Sequence, residues 1–131
     1  MNKPSQKCLT NDGKFVFSAL QKTRIGDSPF VLSGGTAMAM WLEHRLSLDF
    51  DFATSGASLP KPLINIILSE LGEQGFRTES IYNDALYMQF VDSGLDGRDY
   101  QQQYALSHEN MSDPVKLEFF TLSYNTSLNK Q

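Results

Sequence analysis

Phe30-Val31-Leu32-Ser33-Gly34-Gly35-Thr36, followed after an apolar run by Leu46-Ser47-Leu48-Asp49-Phe50-Asp51-Phe52, is the stretch whose reading decides the fold. Phe30, Val31 and Leu32 are apolar and β-prone and run straight into a glycine turn, the pattern of a strand that stops at a backbone bend. From Thr36 to about Arg45 the residues are good helix formers. Ala37, Met38, Met40, Trp41 and Leu42 make that segment apolar on most sides, which predicts a largely buried helix. Leu46 to Phe52 then alternates: Leu46, Leu48, Phe50 and Phe52 fall on one face, and Ser47, Asp49 and Asp51 on the other, the period of a half-buried strand.

Upstream of this stretch, Asp12 reads as the N-cap of a short amphipathic helix over Lys14 to Thr23, with Val16, Ala19 and Leu20 at helical spacing and Gly26 and Pro29 beyond its end. Downstream, Thr54 to Pro60 is turn-like. Pro62 suits the first turn of a helix carrying Leu63, Ile64, Ile67, Leu68 and Leu71, closed by Gly72 or Gly75. Phe76 to Ile81 and Leu86 to Val91 read as two strands of a hairpin turning at Asn83-Asp84. Residues 92–112, with Gly94, Gly97 and Gln101-Gln102-Gln103, show no clear period and read as a long loop, with room for a short helix around Tyr100 to Leu106. Val115 to Thr121 is the last strand, with Val115, Leu117 and Phe119 on one face and Lys116, Glu118 and Phe120 on the other. The tail at 123–131 is polar. About five strands and three helices predict an α+β fold, helices packed on one side of a mixed sheet, as a single domain over 1–131 with its core at 12–122.

The chain has 131 residues, of which 40% are hydrophobic, enough for one core and too many for a disordered tail. Eleven Lys and Arg against fifteen Asp and Glu give a net charge of −4, which argues against a surface built mainly to grip phosphate backbones and leaves only a local basic groove open. Cys8 is the single cysteine, so the sequence holds no disulfide framework and no cysteine-based zinc site. No apolar run is long enough to span a bilayer, and the polar N-terminus lacks the apolar core of a signal peptide. A cytoplasmic location without membrane attachment is the expectation.

Asp49 and Asp51 carry the chemistry. Two positions apart on a strand, their carboxylates leave the same face within roughly 7 Å of each other. At about 6 Å and an effective dielectric near 20 they repel by about 3 kcal/mol, which a divalent cation reverses into attraction. Hard oxygen ligands of this kind suit Mg²⁺ or Mn²⁺, with substrate phosphates and waters completing the coordination. Ser33-Gly34-Gly35-Thr36 at a strand end opening a helix offers free N–H groups, the positive end of a helix dipole and two hydroxyls, a ready anion site. Taken alone, Gly-Gly-Thr is an ordinary capped turn and Leu-Asp-Phe-Asp-Phe an ordinary amphipathic strand. Asp is depleted in strands, however, and two on one face beside a glycine turn form a pattern of phosphoryl-transfer sites. Glu118 is the candidate third carboxylate, to activate the attacking hydroxyl and join the metal ligands, and Lys116 on the same face would touch phosphate, provided their strand adjoins the acidic one. His108 reads as solvent-exposed, and Trp41 as core.

Ser33-Gly34-Gly35-Thr36-Ala37 and His44-Arg45-Leu46-Ser47-Leu48-Asp49-Phe50-Asp51-Phe52 resemble the signature of the nucleotidyltransferase-fold AbiEii toxin family, within the DNA polymerase β-like superfamily. Val115-Lys116-Leu117-Glu118-Phe119-Phe120 resembles the later strand of its members. The resemblance implies transfer of a nucleotide from an NTP to an RNA, such as a tRNA 3′ end, or to a protein, by the toxin of an abortive-infection or toxin–antitoxin pair with an antitoxin partner. It implies that Gly34 and Gly35 hold the triphosphate, that Asp49 and Asp51 hold metal, and that Arg45 is a nucleotide-binding candidate together with Ser33, Thr36, Ser47 and Lys116. Family members continue past the counterpart of Glu118 into a helical region with further Lys and Asp motifs. Nothing in this sequence matches that region, so the resemblance also admits a truncated, catalytically inactive binding module.

Overall fold

The computed structural model describes residues 9–33, 49–81, 94 and 96–122. The expected helix from Thr36 to Arg45, the expected strand Leu86 to Val91 and the polar tail lie outside the described residues. Helix α1 spans Asn11–Leu20 and buries Val16, Ala19 and Leu20. Its N-cap is Thr10, whose hydroxyl accepts from Gly13 N at 3.0 Å. Asp12, expected there, lies inside the first turn. Its carboxylate accepts instead from the backbone N–H groups of Ser112 (3.1 Å) and Asp113 (3.0 Å), tying the helix start to the chain just before the last strand. Because a hydroxyl two residues earlier already satisfies the helix end, the aspartate is released for this long-range bond.

Helix α2 spans Lys61–Glu73, with Pro62 in its first turn, where no intrahelical N–H is needed, and Ile64, Ile67 and Leu71 buried. It ends as a Schellman motif: Phe76 N donates to Leu71 O (3.1 Å), Gly75 N donates to Gly72 O (3.0 Å), and Gly75 takes φ +94°. Of the two glycines expected to close the helix, Gly75 supplies the left-handed turn.

Five strands form one mixed sheet: β1 Val31–Ser33, β2 Asp49–Thr54, β3 Arg77–Ile81, β4 Gln101–Ser107 and β5 Val115–Thr121, in the order β1-β2-β5-β4-β3. β2 and β5 are parallel, and the other neighbours are antiparallel. Phe50, Leu106, Leu117 and Phe119 are fully buried and share one apolar cluster with Val16, Leu20, Ile64 and Leu71. Both described α-helices therefore cover the face that carries Phe50 and Phe119, and the architecture is α+β, as the alternation implied. No described helix is long and apolar enough to cross a membrane.

The expected long loop at 92–112 is corrected. It holds β4, which runs between β3 and β5 and is a strand where a short helix had room. Gln102 and Leu106 are buried on one side of β4, and the strand's alternation is disguised because glutamine occupies positions on both faces. β3 pairs in antiparallel register with β4. His108, expected in solvent, is instead a half-buried staple. Asn110 N donates to its Nδ1 at 3.0 Å, which leaves Nε2 to donate to Gln74 O at 3.0 Å, and the ring stands 4.8 Å from that of Phe15 and 4.9 Å from that of Phe76. This ring backs onto the turn at Gly75.

Candidate active site

Strand β2 presents its acids on the face opposite the helices. Phe50 and Phe52 are buried, Asp49 is exposed and Asp51 is half-buried. Parallel pairing with β5 sets Asp49 against Lys116 and Asp51 against Glu118. Register partners on neighbouring strands share a face about 4.8 Å apart, so the two acids and the Lys-x-Glu pair form one patch. The adjacency that sequence alone left open is present. Ser33 completes the row from β1, opposite Asp51, and its hydroxyl donates to Asp51 O at 3.3 Å, which uses it as a strand tie.

The patch is a charge conflict with partial relief. Burial raises the affinity of the Asp51 carboxyl for its proton above the ordinary carboxylate range, and the Asp49 charge adds to this, while Lys116 pulls the other way. Glu118 is raised for the same reasons, first by burial and then by Asp51. Against this, Lys116 Nζ stands 3.6 Å from Glu118 Oε1, and two amides from β4 reach the same carboxylate. Gln101 Nε2 donates to Oε2 at 2.6 Å and Gln103 Nε2 donates to Oε1 at 3.0 Å. The Glu118 side chain is 15% exposed and that of Lys116 is 36% exposed, so the glutamate is the more deeply held of the pair.

Of the residues singled out in the sequence, the structure brings Ser33, Asp49, Asp51, Lys116 and Glu118 onto one face of three neighbouring strands. Gly34, Gly35, Thr36, Arg45 and Ser47 lie outside the described residues. Among the described residues, no group of three or more His, Cys, Asp and Glu side chains is arranged to hold a metal ion. Asp49 and Asp51 are thus a two-carboxylate set, with Glu118 engaged by amides beside them. Sequence reasoning missed Gln101 and Gln103. Their signal was the spacing of two, which places both on the Glu118 face of β4 while Gln102 points to the core and donates to Arg98 O. Cavities elsewhere among the described residues include one lined in part by Phe15, Ser18, Lys22, Phe76 and His108 and another lined in part by Lys61, Asn65, Arg98 and Tyr104. Neither contains a carboxylate. The half-buried Tyr104 ring packs edge-on against Phe119 and its hydroxyl donates to Gln102 Oε1 at 2.6 Å.

Residues 18–124 match the family model described as nucleotidyl transferase AbiEii toxin, type IV TA system. Comparison with curated proteins and with solved structures finds no match.

Proposed function

The chain belongs to the AbiEii nucleotidyl transferase toxin family of type IV toxin–antitoxin systems, and on that premise we propose that its acidic sheet face is a metal-dependent nucleotide-transfer site. The observation that carries the reading is the parallel register that sets Asp51 beside Glu118 and Asp49 beside Lys116. A solvated sheet face gains nothing from three carboxylates around one lysine, whereas a site for a cation and a polyphosphate needs both signs within reach.

Asp49 and Asp51 fit Mg²⁺ or Mn²⁺ as a pair of hard oxygen donors whose mutual repulsion a divalent ion removes, in the mode that leaves most positions to substrate oxygens and water. When bound, the ion neutralises charge on the transferring phosphoryl group. Lys116, with Gly34, Gly35, Thr36, Arg45, Ser47 and Ser33 as further candidates, would hold the NTP. Glu118 would add to the hold of Asp49 and Asp51 on the ion and accept the proton of an acceptor hydroxyl on RNA or protein. The acceptor oxygen then bonds to the α-phosphorus, the α–β phosphate bridge breaks and pyrophosphate leaves, so the work is positioning and charge neutralisation. The family implies an antitoxin as a protein partner.

A second reading is a nucleotide-binding module without turnover, favoured by the engagement of both Glu118 oxygens and the absence of a three-ligand cluster among the described residues. One assay separates the two. The chain is incubated with Mg²⁺, α-labelled ATP, GTP, CTP or UTP, and total RNA or total cell protein as acceptor, beside Asp49→Asn, while melting temperature reports binding. A ligand at 100 times its Kd adds about 2.7 kcal/mol of stability. Label transfer that needs Asp49 establishes the transferase. A melting shift without transfer establishes the module, and neither signal with any NTP refutes both.

A further inference from the structure

We propose that Gln101 and Gln103 are positioning residues that lock the Glu118 carboxylate in one orientation beside Asp51, ready for the metal–nucleotide complex; the inference rests on reading this face as the nucleotide site. The two glutamines stand at alternate positions of β4, Gln103 directly opposite Glu118 and Gln101 two residues along, opposite Phe120. Each donates to a different oxygen, 2.6 Å to Oε2 and 3.0 Å to Oε1, so together they fix both the position of the carboxylate and the plane in which it lies. A single donor would leave that plane free to rotate.

The lock does not exhaust the group it holds. An ionised carboxylate offers about four lone-pair sites, and the amides take one on each oxygen. Lys116 approaches Oε1 at 3.6 Å, which leaves Oε2 the more available of the two for a substrate hydroxyl or a cation-bound water. A glutamate held in advance loses no further rotamer freedom when ligand arrives. The residue type is also informative. At strand positions of this kind β-branched and aromatic side chains pack best, and glutamine is chosen here on both positions facing Glu118, while the buried Gln102 between them bonds elsewhere. Supporting groups of this sort, once removed, typically cost 10- to 100-fold in metal affinity or activity.

The test is a double-mutant cycle on the full chain. Gln101→Met and Gln103→Met, singly and together, keep side-chain length and remove the donors; each is made in the wild-type and in the Glu118→Gln background. Calorimetry measures binding of ATP, GTP, CTP and UTP in the presence of Mg²⁺, and metal-free melting reports the fold. The expected result is a loss of about 10- to 100-fold in the wild-type background and no further loss in the Glu118→Gln background, because the glutamines act only through Glu118. Equal losses in both backgrounds would mean a merely structural role and overturn the inference. Full affinity in the Met variants, with binding abolished by Asp51→Asn, would also overturn it while leaving the nucleotide site intact. If the double variant fails to fold, the two single variants carry the same comparison. Wild-type chain that binds no NTP, or Asp51→Asn that binds as wild type, would remove the nucleotide site and this inference together.

Discussion

Asp51→Asn should stabilise the metal-free protein while destroying its response to nucleotide. In the folded chain Asp51 sits between two like charges, Asp49 on its own strand and Glu118 on the next, and one opposite charge, Lys116. At about 6 Å and an effective dielectric near 20, each pair is worth about 3 kcal/mol. Two repulsions against one attraction leave about one repulsion uncompensated. Solvent and salt at this half-open sheet face cut that to about 1 kcal/mol, which for a chain of this size raises Tm by about 3–5 °C. The asparagine costs no backbone bond, since Ser33 donates to the main-chain oxygen of residue 51.

The pH dependence follows with a definite sign. Asp51 and Glu118 both hold their protons more tightly folded than unfolded. Between the ordinary carboxylate range and their raised values the native state therefore binds more protons, and wild-type stability rises as pH falls through that window. The penalty is complete above it. Thermal melts in EDTA should show the variant above wild type at pH 7, with the gap closing as the pH drops below the raised values. A variant that melts at or below wild type at pH 7, or a gap indifferent to acid, would refute the reasoning, because it would mean that Asp51 is held by favourable partners.

Gly75→Ala should destabilise by about 2–3 kcal/mol in urea unfolding: φ is +94°, and an added Cβ would lie 2.8 Å from His108 Nε2, displacing the ring that bonds Gln74 O. Phe119→Ala should cost about 3–5 kcal/mol by the same measurement, since this fully buried ring packs against Phe30, Phe52 and Tyr104 in the centre of the sheet.

The parts of the fold that could be read from residues are those where one physical demand dominates. Phe50 and Phe52 against Asp49 and Asp51, or Val115, Leu117 and Phe119 against Lys116 and Glu118, alternate because one face is core and the other is not, and the strands are where the alternation puts them. β4 defeated that reading because its outer positions serve another strand's carboxylate. Gln101 and Gln103 are polar for Glu118, and Gln102, though buried, is polar for Arg98 O, so no hydrophobic period of two survives until Tyr104 and Leu106. His108 was illegible for a related reason: its partners, Gln74, Phe15 and Phe76, are distant in sequence, and a ring in edge-on contact with two phenylalanines leaves no local mark.

The candidate site divides along the same line. The acids of β2 announce themselves by spacing within one strand, whereas their neighbours depend on strand order, which is a property of the whole sheet. The order β1-β2-β5-β4-β3 places the strand of Lys116 and Glu118 directly beside the acids and the glutamine strand directly beyond it. An order that separated β2 from β5 could have kept every strand's alternation, and with it the core, while dispersing the patch. Topology, and not local propensity, assembles these charges, and the sheet accepts a strained carboxylate cluster at its centre because β5, packed through Phe119 and Leu117 on the opposite face, anchors it. That anchoring separates the two quantities the Asp51 experiment measures. The core face sets how much repulsion the sheet can carry, and the acidic face sets what the repulsion is used for, so stability and nucleotide response should move in opposite directions when the charge is removed.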